Sequence, residues 1–355
     1  MRRMVVLVLL LPLLTISAVW RPQVTSVCSY HPLTDQFRAQ LQPDTWVGYI
    51  EDLSGERPVW IDGIERRIET RHSYAMGWHQ ENALALEYVL QTLRQWYAPN
   101  QIEVDSYLPS SSSPTQWKNI ILTISGKTTP SESILMTAHL DSRMASGYDT
   151  SSPAPGADDN ASGSAALLEA ARAFRDQSFA RTIRLVWFSG EEQGMWGSSA
   201  YVADHDLTGV VGVYNLDMFG YDKDGDRCFE MHVGLQAASQ PVGQCFVDTL
   251  AAYPLDLSYD FITDNASIYS DHSTFWRRGV GALMVLENFH ENNLPAGCAG
   301  TDKNPYDHTS LDTLANMHPD YGFAIASAAT LAVHRMAGPM LLNDKLYLPH
   351  IQHEN

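Results

Sequence analysis

The sequence predicts an α/β fold with a mixed, mostly parallel central sheet and helices on both of its faces. Short apolar runs, typical of buried strands, alternate with longer segments whose apolar residues recur at helical spacing. Such alternation is typical of sheets that are covered by helices on both faces. With 355 residues, of which 45% are hydrophobic and 18% charged, the chain can bury a large core and is not a disordered polyelectrolyte.

Each predicted element rests on its own pattern. The first helix, over 79–97, carries Leu86, Val89 and Leu93 on one face, and Pro99 follows its end. Two further helices are predicted over 163–175 and 318–336. The predicted strands cover 117–124, 133–138, 182–188, 211–216 and 280–286. A Ser/Pro tract over 110–114 predicts an exposed loop between two strands.

The first 18 residues predict a secretory signal peptide. Arg2 and Arg3 precede an apolar run from Met4 to Trp20, with a small residue, Ala18, near the expected cleavage point. An uncleaved membrane anchor is the competing interpretation. A spanning helix needs about 20 apolar residues, whereas this run is shorter and contains Pro12.

Charge and cysteine content narrow the possible functions. The formal net charge of −18 argues against binding to nucleic acid, because like charges repel the phosphate backbone. Four cysteines in an exported chain permit two disulfides, and the three possible pairings remain open. No cysteine belongs to a CxxC motif, so neither a zinc knuckle nor a redox motif is indicated. The four are Cys28, Cys228, Cys245 and Cys298.

Metal-binding side chains follow the predicted strands. Three strand ends and two loops supply His139, Asp141, Asp158, Asp159, Glu191, Glu192, Asp217, His308 and Asp312. Taken singly, each has a structural interpretation, such as a buried histidine, a helix cap or a solvated acid. Ligands of such sheets bind at the carboxyl ends of strands, so the joint order predicts one metal site. Imidazole with carboxylate suits zinc, with manganese or cobalt as substitutes, and a bridging carboxylate allows two ions.

These motifs resemble those of the co-catalytic zinc aminopeptidases of the bacterial leucyl aminopeptidase and aminopeptidase Y type. The wider family includes glutamate carboxypeptidases, glutaminyl cyclases and the transferrin receptor. The resemblance covers about residues 115–335, and residues 21–75 show none. The matching motifs are His139-x-Asp141-Ser142, Gly156-Ala157-Asp158-Asp159-Asn160-Ala161-Ser162-Gly163, Glu191-Glu192-x-Gly194, Asn215-Leu216-Asp217-Met218 and His308-Thr309-x-x-Asp312-Thr313.

The resemblance implies a role for each residue. Asp159 would bridge two Zn²⁺ ions per chain. His139 and Asp217 would complete one zinc site, and Glu192 and His308 the other. Glu191 would be the general base, Asp158 a non-ligand, and Asp141 and Asp312 would orient the two histidines. The oxyanion-stabilising side chain stays open between Tyr269 and Tyr306, because the loop 265–269 lacks the cysteines that flank this tyrosine in some relatives.

The resemblance also implies the function. We expect a secreted monomer, extracellular or periplasmic, that removes N-terminal residues from peptides with a free amine. It would not associate with membranes after signal removal. The implied division is a signal peptide at 1–18, a segment of unassigned role at 19–40, a zinc peptidase domain at 41–340 and a tail at 341–355.

Three alternatives are open on the same fold. A glutaminyl cyclase would use one zinc. A carboxypeptidase for acidic residues would need arginines near the metals, for which Arg143, Arg277 and Arg278 are the candidates. A non-catalytic binding ectodomain would be expected to lack ligands.

One acidic motif is not part of this pattern. Asp222, Asp224 and Asp226 alternate as in a calcium loop. The twelfth position of such a loop, normally a bidentate Glu, is Val233 here. The spacing therefore favours a solvated hairpin turn over a calcium site.

Overall fold

The computed structural model describes residue 28 and residues 30–76, 81–110, 115–290 and 297–341. The predicted signal peptide, most of the Ser/Pro tract and nearly all of the predicted tail lie outside these residues. The helices are α1 (Pro32–Arg38), α2 (Pro43–Leu53), α3 (Glu81–Arg94), α4 (Gly163–Phe174), α5 (Trp196–Asp204), α6 (Gln240–Ala252), α7 (His272–Trp276) and α8 (Pro319–Ala337). The strands are β1 (Val59–Ile61), β2 (Ile64–Arg66), β3 (Ile102–Tyr107), β4 (Trp117–Ile124), β5 (Thr129–His139), β6 (Ser178–Phe179), β7 (Arg181–Phe188), β8 (Val210–Leu216), β9 (Cys228–His232), β10 (Ser258–Ile262), β11 (Ala282–Glu287) and β12 (Pro339–Met340).

Eight of these strands form one central sheet in the order β10-β9-β11-β8-β5-β7-β4-β3. The strands β11, β8, β5 and β7 run parallel to one another at its centre. Antiparallel neighbours flank this block, with β4 beside β7 and β9 beside β11. The predicted mixed, mostly parallel sheet is therefore confirmed.

Helices cover both faces of the sheet because its strands are apolar on both sides. On β5, Ile134 and Met136 point into the larger core, which α3, α4, α6 and α8 complete. The residue between them, Leu135, points into a second core beneath α5 and α7. This alternation follows from the two-residue period of a strand.

The predicted elements occur close to where the sequence places them. The segments 163–175 and 318–336 correspond to α4 and α8, and all five predicted strands are present. The first predicted helix ends at Arg94, three residues early, although Tyr97 still packs inward and donates a hydrogen bond to Ala171 O. The strands β9 and β10, at one side of the sheet, and the helices α2 and α6 were not predicted.

Two disulfides resolve the pairing that the sequence left open. Cys28 pairs with Cys245 and ties the start of the described chain to α6. Cys228 pairs with Cys298 and ties the start of β9 to the segment that follows β11. Within the described part of the chain, no helix combines the length and apolarity needed to cross a membrane.

Candidate active site and metal centre

The predicted ligands meet at the carboxyl ends of the central parallel strands. His139 is the last residue of β5, and Asp217 directly follows β8. Glu192 lies in the turn after β7. Asp159 lies in the loop that leads into α4, and His308 lies in the segment between β11 and α8.

Asp159 faces two separate histidine–carboxylate pairs. Its Oδ1 lies 3.2 Å from His139 Nε2, which is also 3.2 Å from Asp217 Oδ1. Its Oδ2 lies 3.0 Å from His308 Nε2, which is also 3.0 Å from Glu192 Oε2. The structure thus brings all five predicted ligands together as two groups that share one carboxylate.

The arrangement fits two zinc ions both in the distances between the ligand atoms and in the tautomer of His139. Ligand atoms bound tetrahedrally at 2.0–2.1 Å lie ~3.3 Å from one another, close to the separations within each group. His139 Nδ1 donates to Asp141 O at 3.1 Å, which leaves Nε2 as the ligand nitrogen. Glu192 Oε1 is buried without a hydrogen-bond partner among the described residues. Imidazole and carboxylate together are a zinc donor set, not a calcium one.

The loop around Asp159 is held so that this side chain, and not Asp158, faces the histidines. Asp158 points away, accepting hydrogen bonds from Gly220 N at 2.7 Å and Asn304 Nδ2 at 3.0 Å. The loop also requires Gly156, whose φ is +52°. A Cβ at this position would lie 2.3 Å from Asp159 O, which no other residue could tolerate without a shift.

Asp141 and Asp312 support the site through the backbone. The Asp141 carboxylate accepts hydrogen bonds from Glu191 N and Glu192 N, both at 3.3 Å, and its Oδ1 lies 3.7 Å from His139 Nδ1. Asp312 was expected to orient His308, but its oxygens accept from Asp158 N at 2.9 Å and Asp159 N at 3.0 Å. No hydrogen bond from His308 to its carboxylate occurs in the described chain, so Asp312 holds the loop that carries Asp159 instead.

Three residues at the site, Arg71, Ser73 and Asp307, carried no recognised sequence signal, and Arg143 was considered only for carboxylate recognition. Arg71 and Ser73 come from the N-terminal region without resemblance. Arg71 donates to Leu140 O, next to His139, and to Gly156 O in the loop that carries Asp159, and Ser73 donates to Asp141 Oδ2 at 3.1 Å. Arg143 Nε donates to Glu192 Oε2 at 2.7 Å, and Asp307 Oδ1 lies 3.4 Å from His308 Nε2. Only their position in the fold identifies them, although Asp307 directly precedes a predicted ligand.

The electrostatics of the site favour positive charge. Although desolvation opposes it, hydrogen bonds to Asp159 and Glu192 raise the pKa of His308 to about 11. The two histidines in turn hold the pKa of Asp159 well below its usual range, against the effect of burial. Desolvation raises the pKa of Glu191 well above its usual range, with the Asp217 carboxylate adding to it and His139 opposing it.

A cavity of about 360 Å³ opens onto these residues. Its lining includes Glu191 and Tyr269 but not Tyr306, so only one of the two candidate oxyanion tyrosines faces the site. Its apolar lining includes Met195 and a wall of four side chains that pack together, Met218, Met284, Leu286 and Phe289. Of the three arginines considered for carboxylate recognition, only Arg143 lines the cavity.

A second group of possible ligands, Glu230, His232 and His290, lies beside the cavity. Its hydrogen bonds argue against a further metal. His232 Nδ1 accepts from Ser267 N at 2.9 Å, so His232 Nε2 carries the proton and donates to Glu230 Oε2 at 2.8 Å. His290 Nδ1 lies within hydrogen-bond distance of the same oxygen, at 3.0 Å. Glu230 therefore links two histidine rings.

Fold and site together define the class: an α/β protein with a two-part histidine–carboxylate centre at the ends of parallel strands. The chain belongs to peptidase family M28, whose family model matches residues 119–333. This match confirms the family that the motifs resemble.

Individual relatives agree with this assignment. The chain is 43% identical over 193 residues to "Leucine aminopeptidase 1" of Trichophyton rubrum, covering 48% of this chain and 47% of that protein. It is 35% identical over 153 residues to a "Probable zinc metalloprotease" of Pyrenophora tritici-repentis, covering 40% of this chain and 32% of that protein. The chain therefore spans less than half the length of these relatives. The LapA aminopeptidase of Legionella pneumophila has the same fold, with a TM-score of 0.69 at 18% identity over 90% of this chain and 76% of that one.

Proposed function

We propose that this protein is a dinuclear zinc aminopeptidase. The observation that supports this most is that the two carboxylate oxygens of Asp159 face two different histidine–carboxylate pairs, as a metal-bridging aspartate would. Zinc is favoured by the donor set and by the name of the Pyrenophora relative, and aminopeptidase activity by the name of the Trichophyton relative. When bound, zinc supplies Lewis-acid activation of a water molecule and of the scissile carbonyl.

Glu191 acts as the general base in this proposal. Its backbone is fixed by a hydrogen bond from Glu191 N to Asp141 Oδ1 and by two amides that donate to its carbonyl. Its side chain lines the cavity and makes no hydrogen bond in the described part of the chain. The carboxylate is therefore free to take a proton from the attacking water and transfer it to the departing amine.

The cavity favours substrates with a free amine and an apolar first side chain. The lining includes the carboxylates of Asp217, Glu192 and Asp307, which attract an ammonium group and repel a C-terminal carboxylate. Arg143, the arginine of the lining, is already paired with Glu192. The apolar wall offers a site for a leucine or methionine side chain. Tyr269, which lines the cavity, would donate the hydrogen bond to the developing oxyanion in this proposal.

We further infer that the mature protein is exported and acts as a monomer. The two disulfides support an oxidising compartment, extracellular or periplasmic, and the sequence predicts a signal peptide at 1–18. All five proposed ligands come from one chain, so the site needs no second copy. We propose that the rest of the chain is divided as the sequence predicts. A segment of unassigned role covers 19–40, the zinc peptidase domain covers 41–340 and the tail covers 341–355.

Hydrolysis of leucine p-nitroanilide by the zinc-loaded protein tests the proposed function. We expect cleavage of the free amine but not of its N-acetyl analogue. Glu191→Gln should lower kcat by ~10²–10⁴-fold while leaving zinc content unchanged, because it removes proton transfer alone. Cleavage of neither substrate would refute the broad aminopeptidase activity. Cyclisation of N-terminal glutamine would instead identify a cyclase.

A further inference from the structure

We propose that Asp222, Asp224, Asp226 and Asp302 form a calcium site separate from the zinc centre. One carboxylate oxygen from each of the four lies within 4.8 Å of those of the other three. Oxygen ligands surround Ca²⁺ at 2.3–2.6 Å, so its coordination sphere is ~5 Å across. All four oxygens can therefore contact one ion.

Asp302 is the residue that distinguishes this group from a solvated acidic turn. It is 1% exposed, and its Oδ2 is buried with no hydrogen-bond partner among the described residues. Burial, together with the carboxylates of Asp224, Asp226 and Asp222, raises the pKa of Asp302 to about 6. In the described ranges, none of the four carboxylates forms an ion pair with a lysine, arginine or histidine. A buried, unpaired carboxylate oxygen beside three more acids is stabilised by a bound cation.

The donor chemistry selects the cation. All four ligands are carboxylate oxygens, with no imidazole or thiolate, which favours a hard cation over zinc. Mg²⁺ needs a tighter octahedron at 2.0–2.1 Å and usually retains several waters. A cluster of four carboxylates spread over 4.8 Å fits Ca²⁺ better.

The fourth ligand comes from a distant part of the chain, which explains why the sequence spacing favoured a hairpin turn. The Cys228–Cys298 disulfide brings the segment after β11 against the loop 222–226. Asp302 N then donates to Asn288 O at 2.7 Å, which fixes the backbone of this residue. Asp302 therefore supplies the further carboxylate that a calcium loop would carry at its twelfth position, which is Val233 in this sequence.

The site joins the two segments that carry proposed zinc ligands. The loop 222–226 follows Asp217, and Asp302 precedes His308 in the segment that also carries Asn304. Asn304 Nδ2 and Gly220 N both donate to Asp158, beside the bridging aspartate. Bound calcium would therefore brace these segments, and its effect should be on stability and not on the chemical step.

Calorimetric titration of the zinc-loaded protein with CaCl2, in buffer stripped of calcium, tests this site. We expect one Ca²⁺ per chain with a Kd between ~1 μM and ~1 mM, and a melting temperature that rises by several degrees at saturation. Asp302→Asn and Asp224→Asn should each weaken binding at least ~10-fold, because each removes one charged ligand. Asp264→Asn, the same change at an exposed position, should leave the Kd unchanged.

Three results would overturn the proposal: no heat and no melting shift in the wild type up to ~10 mM CaCl2, unchanged binding in both variants, or equal binding of MgCl2. If Asp302→Asn does not fold, Asp224→Asn decides, because the Asp224 side chain is exposed. The measurements follow binding and melting, so they are independent of whether the protein cleaves peptides.

Discussion

Replacing Arg71 with lysine tests how the segments that carry the proposed ligands His139 and Asp159 are held. Arg71 is fully buried. Its guanidinium donates to four carbonyl oxygens: Leu53 O at 2.7 Å, Leu140 O at 2.7 Å, Pro155 O at 2.5 Å and Gly156 O at 2.8 Å. Burial lowers its pKa to about 10, so the group is charged at neutral pH. It thereby connects α2, the end of β5 and the loop that carries Asp159.

The expected cost follows from the lost hydrogen bonds. A lysine ammonium has one nitrogen and cannot reach carbonyls on three separate segments, so at least one of Leu53 O, Leu140 O and Pro155 O would be left buried without a donor. Gly156 O keeps its hydrogen bond from Ala161 N. Each such group costs about 1–3 kcal/mol, so one or two of them give an expected loss of about 1–6 kcal/mol in the free energy of unfolding for Arg71→Lys. Since the same group positions the bridging loop, zinc affinity should also fall by ~10–100-fold.

Urea denaturation and competition with a zinc chelator measure these two effects. Arg66→Lys, the same change at an exposed position of β2, serves as the matched control and should alter neither. A loss of less than ~1 kcal/mol with unchanged zinc affinity in Arg71→Lys would refute this account of the N-terminal region.

Two further substitutions test other parts of the structure. Asp312→Asn places an amide donor against the N–H groups of Asp158 and Asp159. Zinc affinity, measured by chelator competition, should therefore fall by ~10-fold or more while the circular dichroism spectrum stays unchanged. Unaltered affinity would contradict the role of Asp312 in holding the loop that carries Asp159. His334→Gln tests the pH dependence of stability. Burial lowers the pKa of His334 to about 3, below the usual value near 6.5. Between these pH values the unfolded chain binds more protons than the folded chain, so the free energy of unfolding falls as the pH falls. Below pH 6, the wild type should lose up to ~1.4 kcal/mol more per pH unit than the variant in urea titrations, and equal slopes would argue against a neutral, buried His334.

The sequence predicted the fold best where elements are strongly apolar or adjoin a recognisable motif. The strands β5, β7 and β8 each end at a motif, and their apolar runs are continuous because both faces are covered. In contrast, β9 contains Glu230 and His232, which are buried in a polar network that no alternation of residues reveals. Its place in the sheet follows from its neighbours and not from its own composition.

The site was predictable as far as its residues act through local motifs. The five proposed ligands lie at or shortly after strand ends, or within loop segments that carry a recognisable motif. Arg71 and Ser73 act across long stretches of chain on backbone atoms and on Asp141, so no spacing predicts them. The disulfide pairing and the position of Asp302 depend in the same way on the folded chain. Asp312 shows the converse, because the residue was identified but its partners are backbone amides and not His308.

Metal analysis of the purified protein after zinc loading and removal of free metal tests the central claim most directly. Two ions per chain are predicted, because Asp159 offers one oxygen to each histidine–carboxylate pair. Asp159→Ala should reduce zinc binding at both positions, whereas the matched surface change Asp264→Ala should retain two ions. A value near one zinc per chain in the wild type, or full occupancy in Asp159→Ala, would contradict the dinuclear site.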